Sequence, residues 1–146
     1  MRCHLPGDPL GDSRGLAVSD DFALVADGEN GLVVVDTSRA RDFEVIGHLT
    51  VDNFTTARMA SVDDVALLGN HALVAGNPFG LAVVDGVKAL AHAGNLDAGD
   101  VVVDSPFNGD TGIVSVYVSG ARGLLTGGEG EVYVANFEKL LARPPN

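Results

Sequence analysis

Three segments of this chain repeat one pattern at intervals of about 50 residues, and few folds accommodate such a period. Residues 16–36 (LAVSDDFALVADGENGLVVVD) align without a gap with residues 65–85 (VALLGNHALVAGNPFGLAVVD), and ten of the 21 positions are identical. Residues 116–136 (VYVSGARGLLTGGEGEVYVAN) are a weaker third copy. A fixed period of this length is typical of one supersecondary unit that buries its apolar face on the next unit.

Each copy is predicted to consist of short β-strands. Phe22–Ala26 and Leu32–Val35 are apolar, and the glycine-rich segment between them is typical of a tight hairpin turn. Further strands are predicted at Leu16–Ser19 and Phe43–Val51, and Leu90–Leu96 is the counterpart of the latter in the second copy. Four antiparallel strands per repeat of this length are typical of a β-propeller blade.

The chain is therefore predicted to be one all-β domain, residues 1–146, built from three four-stranded antiparallel blade repeats. The copies span residues 16–51, 65–97 and 116–136, and Met1–Leu5 is the candidate closing strand, since the third copy lacks a fourth strand of its own. Propellers typically have about 4 to 8 blades. Three blades thus predict a partial propeller or half of an oligomeric ring, completed by a homodimer, by missing blades of a longer chain or by a different partner.

Two short motifs resemble a known repeat. Gly31–Asp36 reads GLVVVD and Gly80–Asp85 reads GLAVVD, and ALVA precedes them at Ala23–Ala26 and Ala72–Ala75. These residues resemble the LVIVD repeat of bacterial and archaeal β-propellers. The resemblance implies a propeller fold, often in cell-surface or exported proteins, and it brings no catalytic residues to this chain.

The composition of the chain limits the classes of partner that it is predicted to bind. The chain has 20 acidic and nine basic residues and a net charge of −11, which disfavours binding to nucleic acid or to an anionic membrane. No apolar run approaches the about 18 residues that a membrane-spanning helix needs, and the first ten residues lack the apolar core of a signal peptide. Cys3 is the only cysteine, which excludes an intrachain disulfide and leaves the cellular compartment open.

Acidic and amide side chains recur in two predicted turns. They are Asp27, Glu29, Asn30, Glu129 and Glu131. Oxygen-rich loops hold hard cations such as calcium. The alternative interpretation is that these turns are solvent-exposed hairpin tips, and no cofactor is otherwise predicted.

The linker Asp97–Gly112 is longer than its counterpart after the first copy and carries the strand-like segment Val101–Val103. Insertions in repeat proteins fall on loops, which frequently form binding surfaces. The candidate binding surface in this linker consists of Asp104, Phe107, Asn108 and Asp110. An inert surface loop is the alternative.

Two classes of function remain. The first is a noncatalytic propeller scaffold that binds a protein or a glycan, because the repetition explains structure and no motif indicates chemistry. The second is a propeller hydrolase, lactonase-like, with a polar or metal site in the central channel. Its candidate channel residues are Arg14, Asp63, Asp64 and Ser115, which lie at equivalent ends of the inner strands.

Overall fold

A computed structural model describes residues 11–39, 43–55, 58–84, 101–103 and 112–141. The first sheet within these ranges contains, in spatial order, β1 (Gly15–Val18), β2 (Phe22–Ala26), β3 (Leu32–Asp36) and β4 (Glu44–Leu49). The second contains β5 (Ser61–Leu68), β6 (His71–Asn77), β7 (Gly80–Val84) and β8 (Val101–Val103). The third contains β9 (Ile113–Ser119), β10 (Arg122–Gly127) and β11 (Val132–Asn136). A 3-10 turn, Val51–Asn53, follows the first sheet, and helix α1 (Phe137–Leu141) follows the third.

The predicted all-β architecture of blade-like repeats is confirmed. Neighbouring strands in each sheet are antiparallel and consecutive in the chain, as in an up-and-down blade. Strand β2 has the predicted bounds, whereas β4 is shorter than the predicted Phe43–Val51 because Val51 begins the 3-10 turn. Met1–Leu5, the predicted closing strand, lies outside the described residues.

The fourth strand of the second sheet comes later in the chain than predicted. Strand β7 pairs with β6 on one side and with β8 on the other. Strand β8 occupies the edge where the fourth strand was predicted at Leu90–Leu96, and those residues lie outside the described part of the chain. The Val101–Val103 segment, predicted to belong to an inserted loop, is a strand of the sheet.

Two apolar clusters hold the three sheets together. The first lies between sheets one and two and joins residues such as Leu24 and Val34 to Val74 and Val84. The rings of Phe54 and Phe79 extend this cluster, stacked with centroids 5.2 Å apart.

The second cluster lies between sheets two and three. It joins Leu73 and Leu81 to Ile113, Leu125 and Phe137. Successive residues of a strand point to opposite faces of its sheet, so the middle sheet buries Leu73 in one cluster and Val74 in the other. This explains why β7 and residues 72–75 of β6 are continuous apolar runs with no polar alternation.

No helix among the described residues is long and apolar enough to cross a membrane.

The clusters predict a large cost for truncating a core side chain. We expect Leu24→Ala to lower the free energy of unfolding by about 2–5 kcal/mol, because Leu24 is fully buried between two sheets. Met59→Ala is the matched control, since this side chain is 92% exposed and should change stability by less than about 0.5 kcal/mol. Urea unfolding followed by circular dichroism measures both. Equal effects of the two substitutions would contradict the stacked arrangement.

Candidate functional site

The three sheets meet along their first strands, β1, β5 and β9, where polar side chains bond from one sheet to the next. We call this group the inter-sheet polar network. Its members are Asp12, Arg14, Ser61, Asp63, Asp64 and Ser115. The candidate channel residues from the sequence are therefore brought together, and Asp12 and Ser61 are additions that the sequence reasoning missed.

The first connection is an ion pair between sheets one and two. Arg14, directly before β1, donates from Nη1 to Oδ1 of Asp63 in β5, and the hydroxyl of Ser61 donates to the same oxygen at 3.0 Å. Arg14 also donates from Nε to Oδ2 of Asp12 at 2.9 Å. The hydrogen bonds to Asp12 and Asp63 raise the pKa of Arg14 above its ordinary value, so the guanidinium keeps its charge throughout the pH range of the folded protein.

The second connection joins sheets two and three. Oδ2 of Asp64 accepts hydrogen bonds from the Ser115 hydroxyl at 2.8 Å and from the Val116 amide at 2.9 Å. Its Oδ1 accepts from the Val65 amide at 2.9 Å. Both carboxylate oxygens are thus engaged by backbone or hydroxyl donors.

An irregularity in β5 lets adjacent aspartates bond to different sheets. The pairing register of β5 with β6 shifts between Val62 and Asp64, which leaves Asp63 as the additional residue of a bulge. Asp63 bonds toward the first sheet, and Asp64 bonds toward the third. The sequence signal for this site was the position of these residues at equivalent ends of the inner strands.

Asp27 directly follows β2, and its carboxylate binds the segment that precedes β1. Its side chain is fully buried, and its carboxylate accepts hydrogen bonds from the Gly11 and Asp12 amides, the Ser13 hydroxyl and the Asn30 side-chain amide, at 3.0 to 3.1 Å. Burial raises the pKa of Asp27, but the four hydrogen bonds outweigh burial and bring the pKa below its ordinary value. Asp27 therefore remains ionised and holds the segment that positions Arg14.

The turn after Asp27 depends on glycine. Gly31 has a φ of 100°, and a side-chain carbon there would lie 2.0 Å from the carbonyl oxygen of Leu49. Gly28 and Val62 exchange backbone hydrogen bonds of 2.8 and 2.9 Å, which connect this turn to β5. The turn is thus a packed joint between two sheets, and the interpretation of Asp27 as part of a solvent-exposed hairpin tip is wrong.

The candidate metal ligands fall into two separate turns. Asn30 donates to Asp27, whereas Glu131 accepts a hydrogen bond from the Glu129 amide at 3.2 Å in the β10–β11 turn. Glu29 is exposed. In the part of the chain that the structure describes, no three His, Cys, Asp or Glu side chains are grouped to hold a metal ion. Calcium binding stays a prediction.

The candidate binding surface in the longer linker follows β8 in the chain. Asp104, Phe107, Asn108 and Asp110 lie outside the described residues, so their role also stays a prediction.

Asp27 predicts a defined loss of stability in acid. A carboxyl whose pKa is lower in the folded than in the unfolded state stabilises the fold above its ordinary pKa of 3.8, and this contribution disappears as the pH falls through the folded-state value. We expect Asp27→Asn to lower the free energy of unfolding at pH 7 by about 1–3 kcal/mol. Both carboxylate oxygens of Asp27 accept hydrogen bonds, whereas the asparagine amide has one accepting oxygen and a donating nitrogen in place of the other. The stability of this variant should also depend less on pH below about pH 4.

The matched control for this prediction is Asp20→Asn, at an exposed turn position. Urea titrations from pH 3 to pH 7 compare both variants with the parent chain. An Asp27→Asn protein as stable as the control would contradict the structural role of this carboxylate.

Comparison with known proteins agrees with this architecture. A family model described as the LVIVD repeat matches residues 10–40 and 60–85, which include the first three strands of the first sheet and of the second. No curated protein matches the chain.

Two solved structures are similar in fold. Apo AztD from Citrobacter koseri, a β-propeller, superimposes with a TM-score of 0.53 at 16% identity, over 89% of this chain and 32% of the AztD chain. This chain thus spans about a third of the length of AztD. The computationally designed Ika4 protein superimposes with a TM-score of 0.50 at 11% identity, over 91% of this chain and 95% of Ika4. The chain thus contains two segments that match the LVIVD repeat, and its three stacked blade-like sheets have the fold of a partial β-propeller.

Proposed function

We propose that this chain is a noncatalytic propeller scaffold that acts by binding another protein. The observation that carries the proposal is that the polar side chains between the sheets are hydrogen-bonded to one another. Arg14 is paired with two carboxylates, and Asp63 and Asp64 accept hydrogen bonds that join one sheet to the next. These groups serve the packing of the blades.

Burial supports the same interpretation. The described residues contain no buried side-chain nitrogen or oxygen without a hydrogen-bond partner. Active sites typically keep strained or incompletely bonded polar groups in place for the substrate. A fully bonded polar interior is what a rigid scaffold requires.

A protein is the partner class that the described surface favours. The outer face of the third sheet exposes apolar side chains, and Tyr117, Leu124 and Val134 lie directly opposite one another on its three strands. Contiguous exposed apolar surface is typical of protein interaction sites. A glycan site would need several hydrogen-bonding groups beside an aromatic ring, and this row is mainly aliphatic. The excess of acidic residues also disfavours nucleic acid.

The alternative function is a propeller hydrolase, and one observation favours it: Arg14, Asp63, Asp64 and Ser115 converge from all three sheets. In that function Ser115 or a carboxylate would have to leave its inter-sheet hydrogen bond to reach a substrate. Substitution of these residues would then abolish turnover.

The two functions differ in what Asp63→Asn and Asp64→Asn should change. For a scaffold, we expect each substitution to lower the free energy of unfolding by about 1–3 kcal/mol, since a donor amide replaces an accepting carboxylate oxygen. Hydrolysis of a panel of lactones and aryl esters should be indistinguishable from the buffer rate for the parent chain and for both variants. Stability is measured by urea unfolding, and turnover by pH-stat and absorbance assays.

The control is again Asp20→Asn, which should change neither quantity. Catalysed hydrolysis by the parent chain that a folded Asp63→Asn or Asp64→Asn variant lacks would overturn the scaffold function and establish the hydrolase.

A further inference from the structure

The two sheet-to-sheet contacts in this chain use the same pair of faces. The side of a sheet that packs against the following sheet of the chain is called its forward face, and the opposite side is called its rear face. Equivalent positions in the repeat define the same two faces in all three sheets. The forward face presents Leu24, Leu32 and Val34 in sheet one and their repeat equivalents Leu73, Leu81 and Val83 in sheet two. The rear face presents Val74, Ala82 and Val84 in sheet two and their equivalents Leu125, Tyr133 and Ala135 in sheet three. Forward-to-rear packing is thus one interface used twice.

The forward face of the third sheet lacks such a neighbour within the described residues. Leu124, Val132 and Val134 are the repeat equivalents of Leu24, Leu32 and Val34, which are all 0% exposed. In the third sheet the exposed fractions are 47%, 65% and 73%. The same positions are buried where a sheet follows and exposed where none does, so the face retains the apolar character of a buried interface.

The rear face of the first sheet is also partly exposed. Leu16 in β1 is 62% exposed, whereas its repeat equivalents Val65 and Val116 are 3% and 6% exposed. The centre of this face, with Val25 and Val33, is buried and has Phe43 packed against it. The exposed part lies along the inner strand, where the rear faces of the other two sheets receive their neighbour.

We infer that the forward face of the third sheet binds the rear face of the first sheet of a second copy of this chain. This inference rests on the proposed function and names its protein partner. The surface that fits a forward face is a rear face, and the described residues leave one forward face exposed and one rear face partly exposed. The contact would continue the interface already present between the sheets of one chain. Like that interface, the contact is head-to-tail, so each copy uses two different surfaces.

Two copies suffice to close the ring. A head-to-tail contact forms a closed ring when the rotation per unit divides a full turn, and otherwise forms an open filament. If each chain contributes the three sheets that its described residues form, two chains bring six, within the about 4 to 8 blades of known propellers, whereas three chains would bring nine. The assembly is therefore a dimer with two identical seams.

The first test is native mass. Light scattering on a sizing column across a dilution series should give twice the chain mass of 15.0 kDa. A mass of one chain at every concentration would overturn the inference, and so would a mass that rises without limit as in a filament. Neither result bears on catalysis, so the hydrolysis assay judges the scaffold function separately.

Substitutions on the two faces test the geometry. Val134→Glu on the forward face and Leu16→Glu on the rear face should each weaken self-association by about 100-fold or more, because an unpaired carboxylate would be buried at both seams. Both side chains are mostly exposed in the single chain, so the variants should fold, which circular dichroism and cooperative unfolding verify. Met59→Glu, at a site 92% exposed and in neither apolar cluster, is the matched control and should remain dimeric.

A mixture of the two variants distinguishes head-to-tail from face-to-face pairing. The Val134→Glu chain keeps an intact rear face, and the Leu16→Glu chain keeps an intact forward face. We expect the equimolar mixture to form a one-to-one pair with a single seam, although neither variant associates alone. A Leu16→Glu chain that still dimerises by itself would show pairing of two forward faces and overturn the inference. Absence of a pair in the mixture would do the same.

Discussion

The constraint on which the rest of this structure depends is that its sheets are apolar on both faces. Strands β2 and β7 are buried at every position, so no sheet can leave one side in water without exposing aliphatic surface. Stacking the sheets on one another buries these faces. Because the chain repeats one unit, both contacts between its sheets are of the same type. The middle sheet satisfies the constraint through its own neighbours, whereas the two outer sheets retain faces of the same character.

Apolar stacking by itself does not determine how one sheet sits on the next, because the hydrophobic effect is not directional. Hydrogen bonds are directional, and they occur here where the sheets converge. Asp27 holds the segment before β1, that segment positions Arg14, and Arg14 bonds Asp63 of the second sheet. Asp64 continues the connection to the third sheet. The candidate channel residues are thus part of the hydrogen bonds that join the three sheets.

Much of the first and second sheets was predictable from sequence, because their strands combine apolar runs with glycine turns at a repeated spacing. Strand β8 was not, since only pairing with β7 shows which of two short apolar segments completes the sheet. The convergence of Arg14 and Asp63 followed from their equivalent places in the repeat. The burial of Asp27 did not, because an aspartate next to glycine in a turn has the same local pattern whether its carboxylate faces water or a set of backbone amides.

The amino-acid sequence by itself determined the repeat, the strand-forming segments and the acidic charge, because periodicity and composition are local properties of the chain. Only the tertiary structure decided which face of each sheet is covered. Leu24 and Leu124 occupy the same place in the repeat, yet one is fully buried and the other is 47% exposed. The physical reason is that burial belongs to the contact between two sheets, and that contact depends on where the neighbouring sheet lies in space.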